Sequence, residues 1–201
     1  MNTLSFTGEM ARLQQAIAES HDLVVCRGTV LEALNLRTSE RVLEVGCGGG
    51  YLTYEAARFV GPTGRVCVID ISPDQIAAAQ QRGAEFGWVE CRTADIASPP
   101  YGDAEFDAVF AVQVLEYITD LDAALRQIHR MLRLGGGLSS WRRIGVRRCG
   151  IPRMAADAAG TDRMRAAYAV PKSAVYPGGA ATLGGDPASP ADRDLDPEHF
   201  L

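Results

Sequence analysis

Lysine is almost absent from this chain: Lys172 is the single one, none falls within residues 1–137, and arginine supplies the other positive charges. Long apolar runs are also missing. No stretch approaches the roughly 20 residues that a bilayer-spanning helix needs, so no integral membrane segment is expected. The first residues, MNTLSFTGEMARLQQ, lack the basic start and apolar centre of a secretory leader. The five cysteines, at 26, 47, 67, 91 and 149, are odd in number and form no C-x-x-C pair. Neither a disulfide framework nor a thiolate metal site is indicated, and the expectation is reduced thiols in a cytoplasmic protein. Cys67 suits a small apolar filler in a strand. Histidines 21, 129 and 199 are too scattered to suggest a metal centre. A net charge of −5 gives no electrostatic case for nucleic acid or an anionic membrane. With 201 residues, 47% of them apolar and 22% charged, the chain is long enough for one α/β domain with a proper core.

What is present is an alternation of strand and helix patterns. One or two helices are expected over 9–34, on Met10, Leu13, Ile17, Val24, Val25, Val30, Leu31 and Leu34. Strand 41–45 leads to helix 50–60, and strand 65–69 to helix 73–83. Ser72 is placed to cap that second helix, and Pro73 suits its first turn. Strands near 87–92 and at 106–112 follow, then a helix over 120–133 with Leu121, Leu125, Ile128 and Leu132 on one face and Gly135 as its stop. Repeated βα units predict a doubly wound, mostly parallel sheet, that is, a Rossmann-like α/β fold.

The first βα junction is the most informative stretch. Arg41-Val42-Leu43-Glu44-Val45 reads as a buried strand, and Gly46, Gly48, Gly49 and Gly50 follow within five residues. Glycines there allow unusual backbone angles and close approach to a ligand. The dinucleotide pattern G-x-G-x-x-G is not met, because Tyr51 holds the third glycine's place, which disfavours a nicotinamide oxidoreductase. Instead the turn reads Glu44-x-Gly46-Cys47-Gly48-x-Gly50, with an acid suited to a cationic ligand group. Asp70 ends the second strand, where a carboxylate can accept both hydroxyls of a ribose.

These residues resemble the class I S-adenosylmethionine-dependent methyltransferases, whose first motif has the form E/D-x-G-x-G-x-G. The resemblance continues through "TADIASPPYGDAEFD" and "FDAVFAVQVLEYITDLDAALRQIHRMLRLGGGL", covering about residues 40–137. It is closest to the small-molecule group that includes quinone and sterol methyltransferases. Tyr117 replaces a usual His and Leu134 a usual Pro. The resemblance implies S-adenosylmethionine as cofactor, a small-molecule acceptor and a cofactor site of Glu44, Gly46, Cys47, Gly48, Gly50, Asp70, Ile71, Asp95, Ile96 and Gln113. In it Asp70 holds the ribose, Ile71 lies against the adenine, Asp95 receives the adenine amino group, the Ile96 backbone N–H meets a ring nitrogen, and Gln113 stands beside the methionine end. A sulfonium methyl is already activated, so alignment is the enzyme's main task and no catalytic residue is named. His21 and Tyr51 are candidates to face the methyl. A cofactor-binding protein without catalysis is the other reading.

A seam divides the chain near residue 138. Residues 1–137 carry 11 arginines and 18 acids; residues 138–201 carry 9 basic and 7 acidic residues with six of the ten prolines. The expected layout is a helical segment at 1–38, a cofactor-binding domain at 39–141 and an irregular tail at 142–201, leaving the fourth strand without a fifth neighbour. Codons for Leu138–Ala155 read one frame over can spell LVVAADWGSSLWHSADG, an apolar strand and acidic-aromatic loop that resemble the family's continuation. A frameshifted tail is therefore expected, with a genuine irregular tail as the alternative.

Overall fold

The computed structural model describes residues 16, 18, 19, 21–144 and 147–155. The expectations for Met10, Leu13 and Ile17 and for everything beyond 155 lie outside the described residues. Elements follow in the order α1 (His21–Leu34), β1 (Arg41–Val45), α2 (Tyr51–Val60), β2 (Arg65–Asp70), α3 (Pro73–Arg82), β3 (Val89–Thr93), β4 (Phe106–Val112), a short 3₁₀ turn (Leu115–Tyr117), α4 (Leu121–Met131), β5 (Leu132–Ile144) and β6 (Arg147–Ala155). The six strands form one sheet in the order β3-β2-β1-β4-β5-β6. Every neighbouring pair is parallel except β5 with β6.

Successive side chains of a strand face opposite sides of the sheet, and the core divides on that rule. Val42, Val66, Val68, Ala108 and Phe110 face a layer built from Val30 and Leu34 of α1, Leu52, Ala56, Ala57 and Val60 of α2, and Ile76 and Ala79 of α3. Leu43, Val45, Cys67, Ile69, Val109 and Ala111 face the other way, onto Leu125, Ile128 and Met131 of α4. The sheet is thus covered on both faces, as a parallel sheet requires.

Side-chain caps set the starts of two helices. Ser72 caps α3, its hydroxyl accepting from the Gln75 N–H at 3.4 Å. Asp120 caps α4, its carboxylate accepting from Ala123 at 2.8 Å. The end of α4 comes sooner than expected. Leu132 is already extended and pairs with Phe106, while Gly135, at φ +81°, lies in an irregularity where two steps along β4 oppose five along β5.

The expectation that β4 lacks a further neighbour is corrected. β5 runs on to Ile144 and β6 occupies 147–155, so the first part of the segment read as irregular is strand. The side chains here show no apolar periodicity, but pairing is made by the backbone. The glycines of β5 favour it: Gly136 lies so near the Asp107 and Arg133 carbonyls that a Cβ there would sit 2.9 Å from each.

Candidate functional site

Parallel pairing brings the carboxyl ends of β1 to β4 to one edge: Val45 is level with Ile69 and Ala111, and Asp70 with Thr93. Crevices at that edge are where open α/β sheets bind ligands. The turn after β1 is tied to β2 twice, by Gly46 N–H donating to the Ile69 carbonyl at 2.8 Å and by Gly48 N–H reaching Asp70 Oδ2 at 3.4 Å. Asp70 Oδ1 accepts from the Ser72 N–H at 2.9 Å, and the Asp70 carbonyl accepts from Ala94 at 3.0 Å. One aspartate therefore joins the loops after β1, β2 and β3.

The turn glycines divide by what a side chain would meet. A Cβ at Gly46 would lie 2.2 Å from Val114 Cγ2, and one at Gly50 would lie 2.5 Å from Ala79 Cα. These two are glycine because the loop after β4 and helix α3 press on them. Gly48, at φ +49°, has nothing within 4 Å of the equivalent position. It is the glycine that faces open space, as close backbone approach to a ligand requires.

The remaining residues fall into two groups. Ile71 presents an apolar side chain, 59% exposed, directly beside Asp70. Asp95 is exposed, its Oδ1 accepting from the Ala97 N–H at 2.8 Å in a local turn. Gln113 is exposed and left-handed, at φ +56° without being glycine, the kind of backbone cost that collects at functional sites. Glu44, Cys47 and Ile96 instead send their side chains into the core. Glu44 lies beneath the turn and accepts from the Thr53 hydroxyl of α2. Burial, reinforced by the nearby Asp70 charge and opposed by the Thr53 hydrogen bond, raises its pKa from 4.5 to about 8. The Cys47 thiol lies 3.8 Å from both Asp70 Oδ2 and the Gln75 carbonyl, and burial raises its pKa well above the usual thiol range.

Tyr51 is held on the helical side of the turn. Its hydroxyl donates to Glu19 at 2.7 Å, and the Arg82 guanidinium lies 3.6 Å from its ring centroid. The side chain of His21 lies outside the described residues. Sequence reasoning missed Thr53, Val114 and Arg82, whose parts depend on packing between elements distant in the chain. Among the described residues no group of three or more His, Cys, Asp or Glu could hold a metal ion.

Residues 43–139 match the family described as a methyltransferase domain. Two curated relatives carry the similarity further. A ubiquinone/menaquinone biosynthesis C-methyltransferase of Cellvibrio japonicus is 33% identical over 54% of this chain and 45% of its own. An uncharacterized 37.1 kDa transposon protein of Streptomyces fradiae is 35% identical over 56% of this chain and 32% of its own. Among solved structures, a SAM-dependent methyltransferase from Aquifex aeolicus shares the fold at TM-score 0.56 and 22% identity, over 63% of this chain and 69% of that one. The [4+2]-cyclase SpnF matches at TM-score 0.53 and 33% identity, over 58% of this chain and 43% of its own. Over residues 43–139 the chain is thus similar in sequence to a methyltransferase domain and in fold to S-adenosylmethionine-dependent methyltransferases. The chain spans between 32% and 57% of the length of the curated relatives it matches.

Proposed function

We propose that this chain binds S-adenosylmethionine at the carboxyl ends of β1 to β4 and transfers its methyl group to a small-molecule acceptor. The observation that carries the reading is Asp70, which ends β2 beside the open side of Gly48 and the exposed face of Ile71. A nucleoside fits that chemistry: a carboxylate for ribose hydroxyls, an apolar side chain for a base, and a backbone bare of side chains for close approach. The fit does not extend to Glu44, whose carboxyl is closed off beneath the turn and supports the site through Thr53. Asp95, the Ile96 backbone and Gln113 complete the proposed rim.

The cofactor supplies the activated methyl, and the chain's own residues bind, orient and exclude water. The quinone methyltransferase relatives support a small-molecule acceptor, as does a solved geranyl diphosphate C-methyltransferase of the same fold. A net charge of −5 supports a reading without nucleic acid, and the reduced thiols of Cys47, Cys67 and Cys91 support a cytoplasmic one. Among the described residues no helix is long and apolar enough to cross a membrane.

Calorimetry tests the reading. S-adenosylmethionine and its demethylated product are expected to bind and NAD is not; binding of NAD alone would overturn it. A second reading, cofactor binding without methyl transfer, is favoured by the likeness to the [4+2]-cyclase. Radiolabelled methyl incorporation into candidate acceptors separates the two.

We also infer that residues from 138 are read from a shifted frame. The alternative frame places Leu-Val-Val where this chain has Leu138-Ser139-Ser140, at positions buried in β5. The nucleotide sequence around codon 137, compared with that of an intact relative, tests this directly.

A further inference from the structure

Four glycines in five residues leave the turn after β1 with few side chains to fasten it, its internal tie being the Gly50 N–H donating to the Cys47 carbonyl at 3.0 Å. The helix that follows starts from Gly50, which caps it without a side-chain hydrogen bond. Glycine loses more freedom than any other residue on being fixed, so such a turn depends on groups that reach it from elsewhere. Asp70 holds the Gly48 N–H from β2. The carbonyl of the next residue is held from α3. Arg82, the last residue of α3, donates from Nε to the Gly49 carbonyl at 2.8 Å.

Arg82 is itself held in place. Its guanidinium lies 3.6 Å from the Tyr51 ring centroid, and Arg27 of α1 lies 4.8 Å from the same ring. Tyr51 in turn sits against Gly49, where a Cβ would come within 3.2 Å of its ring. Gly49, Tyr51 and Arg82 form one packed unit, with a charge-assisted hydrogen bond at its centre. Arginine suits the position because a planar guanidinium can stack on a ring while its edge donates, which an ammonium cannot do.

We propose that Arg82 is a positioning residue for the ligand-binding turn. It acts through the Gly49 carbonyl, and with Asp70 on the neighbouring N–H it fixes the turn between a guanidinium and a carboxylate before ligand arrives. A turn ordered in advance spares the ligand the cost of ordering it. The inference rests on the cofactor reading of the site, and two measurements keep the two apart.

Amide hydrogen exchange in the unliganded protein reads the turn, and calorimetry with S-adenosylhomocysteine reads the consequence. In Arg82→Ala, the amides of Gly48–Gly50 are expected to exchange about tenfold faster while those of β1 and β2 keep their protection, and affinity is expected to fall about tenfold. Millimolar guanidinium should restore affinity to Arg82→Ala and leave the parent unaffected. Unchanged exchange, or faster exchange with unchanged affinity, overturns the proposal. Should Arg82→Ala fail to fold, Arg82→Lys decides: intermediate loss supports the proposal, and parental protection and affinity overturn it. Should the parent bind no S-adenosylhomocysteine, the cofactor reading fails, while the exchange arm still decides whether Arg82 orders the turn.

Discussion

β1 and β5 flank β4 on its two sides and are built differently. β1 buries Val42, Leu43 and Val45, and its one buried polar residue, Glu44, is met by the Thr53 hydroxyl. β5 places Gly136, Gly137, Leu138, Ser139 and Ser140 against the same β4. Ser140 donates to the Ala111 carbonyl at 2.8 Å, but the buried Ser139 hydroxyl meets no partner among the described residues. The β1 side carries both core and ligand-binding turn, so its residues are constrained twice. The β5 side covers β4 and contributes none of the proposed site residues, so a poorer strand leaves the site's own geometry intact. A buried hydroxyl without a partner costs roughly 1–3 kcal/mol, and on β1 the buried Arg41 Nε likewise has no partner among the described residues.

The strongest way to test the comparison is to separate fold from ligand within the turn. Gly50→Val is expected to unfold the domain, because its Cβ falls 2.5 Å from the Ala79 backbone at φ +75°. Gly48→Val is expected to keep the parental circular dichroism and abolish cofactor binding, at a backbone cost of about 1–2 kcal/mol. Two variants of equal stability would show that the turn has no open side.

The next effect is in pH. The pKa of Glu44 is raised in the folded state to about 8 from 4.5, so the native chain holds a proton that the unfolded chain releases. That contribution is fully present below about pH 4.5 and is lost as pH rises through 8. Glu44→Gln should flatten the loss and leave the variant more stable than the parent above pH 8, by on the order of a few kcal/mol. Denaturant unfolding across that window checks it; parallel curves for both proteins would show Glu44 ionised in the fold.

A smaller change is expected at the ligand. Asp70→Ala should weaken S-adenosylmethionine binding by about 1–3 kcal/mol through loss of charge-assisted hydrogen bonds, and undiminished affinity would remove Asp70 from the site. On the β5 side, Ser139→Val should raise stability by about 1 kcal/mol with cofactor affinity unchanged. A destabilised variant would mean that the hydroxyl is satisfied after all.

The order of strands and helices through β4 was legible in the sequence because it rests on local signals. Apolar periodicity and Ser72 before Pro73 act within a few residues of themselves. The family motifs were legible for the same reason, each being a short string at one strand's end. Asp70 beside a glycine turn needed only the knowledge that parallel strands end together. Tertiary structure alone decided the rest. It assigned Gly46 and Gly50 to packing and Gly48 to open space, because Val114 and Ala79 arrive from distant parts of the chain. It turned Glu44 and Cys47 inward, since side-chain direction at a strand end depends on which face the helices cover. It gave β4 a neighbour in β5 where side chains carry no strand pattern, because a sheet is extended by backbone hydrogen bonds that any residue but proline can donate.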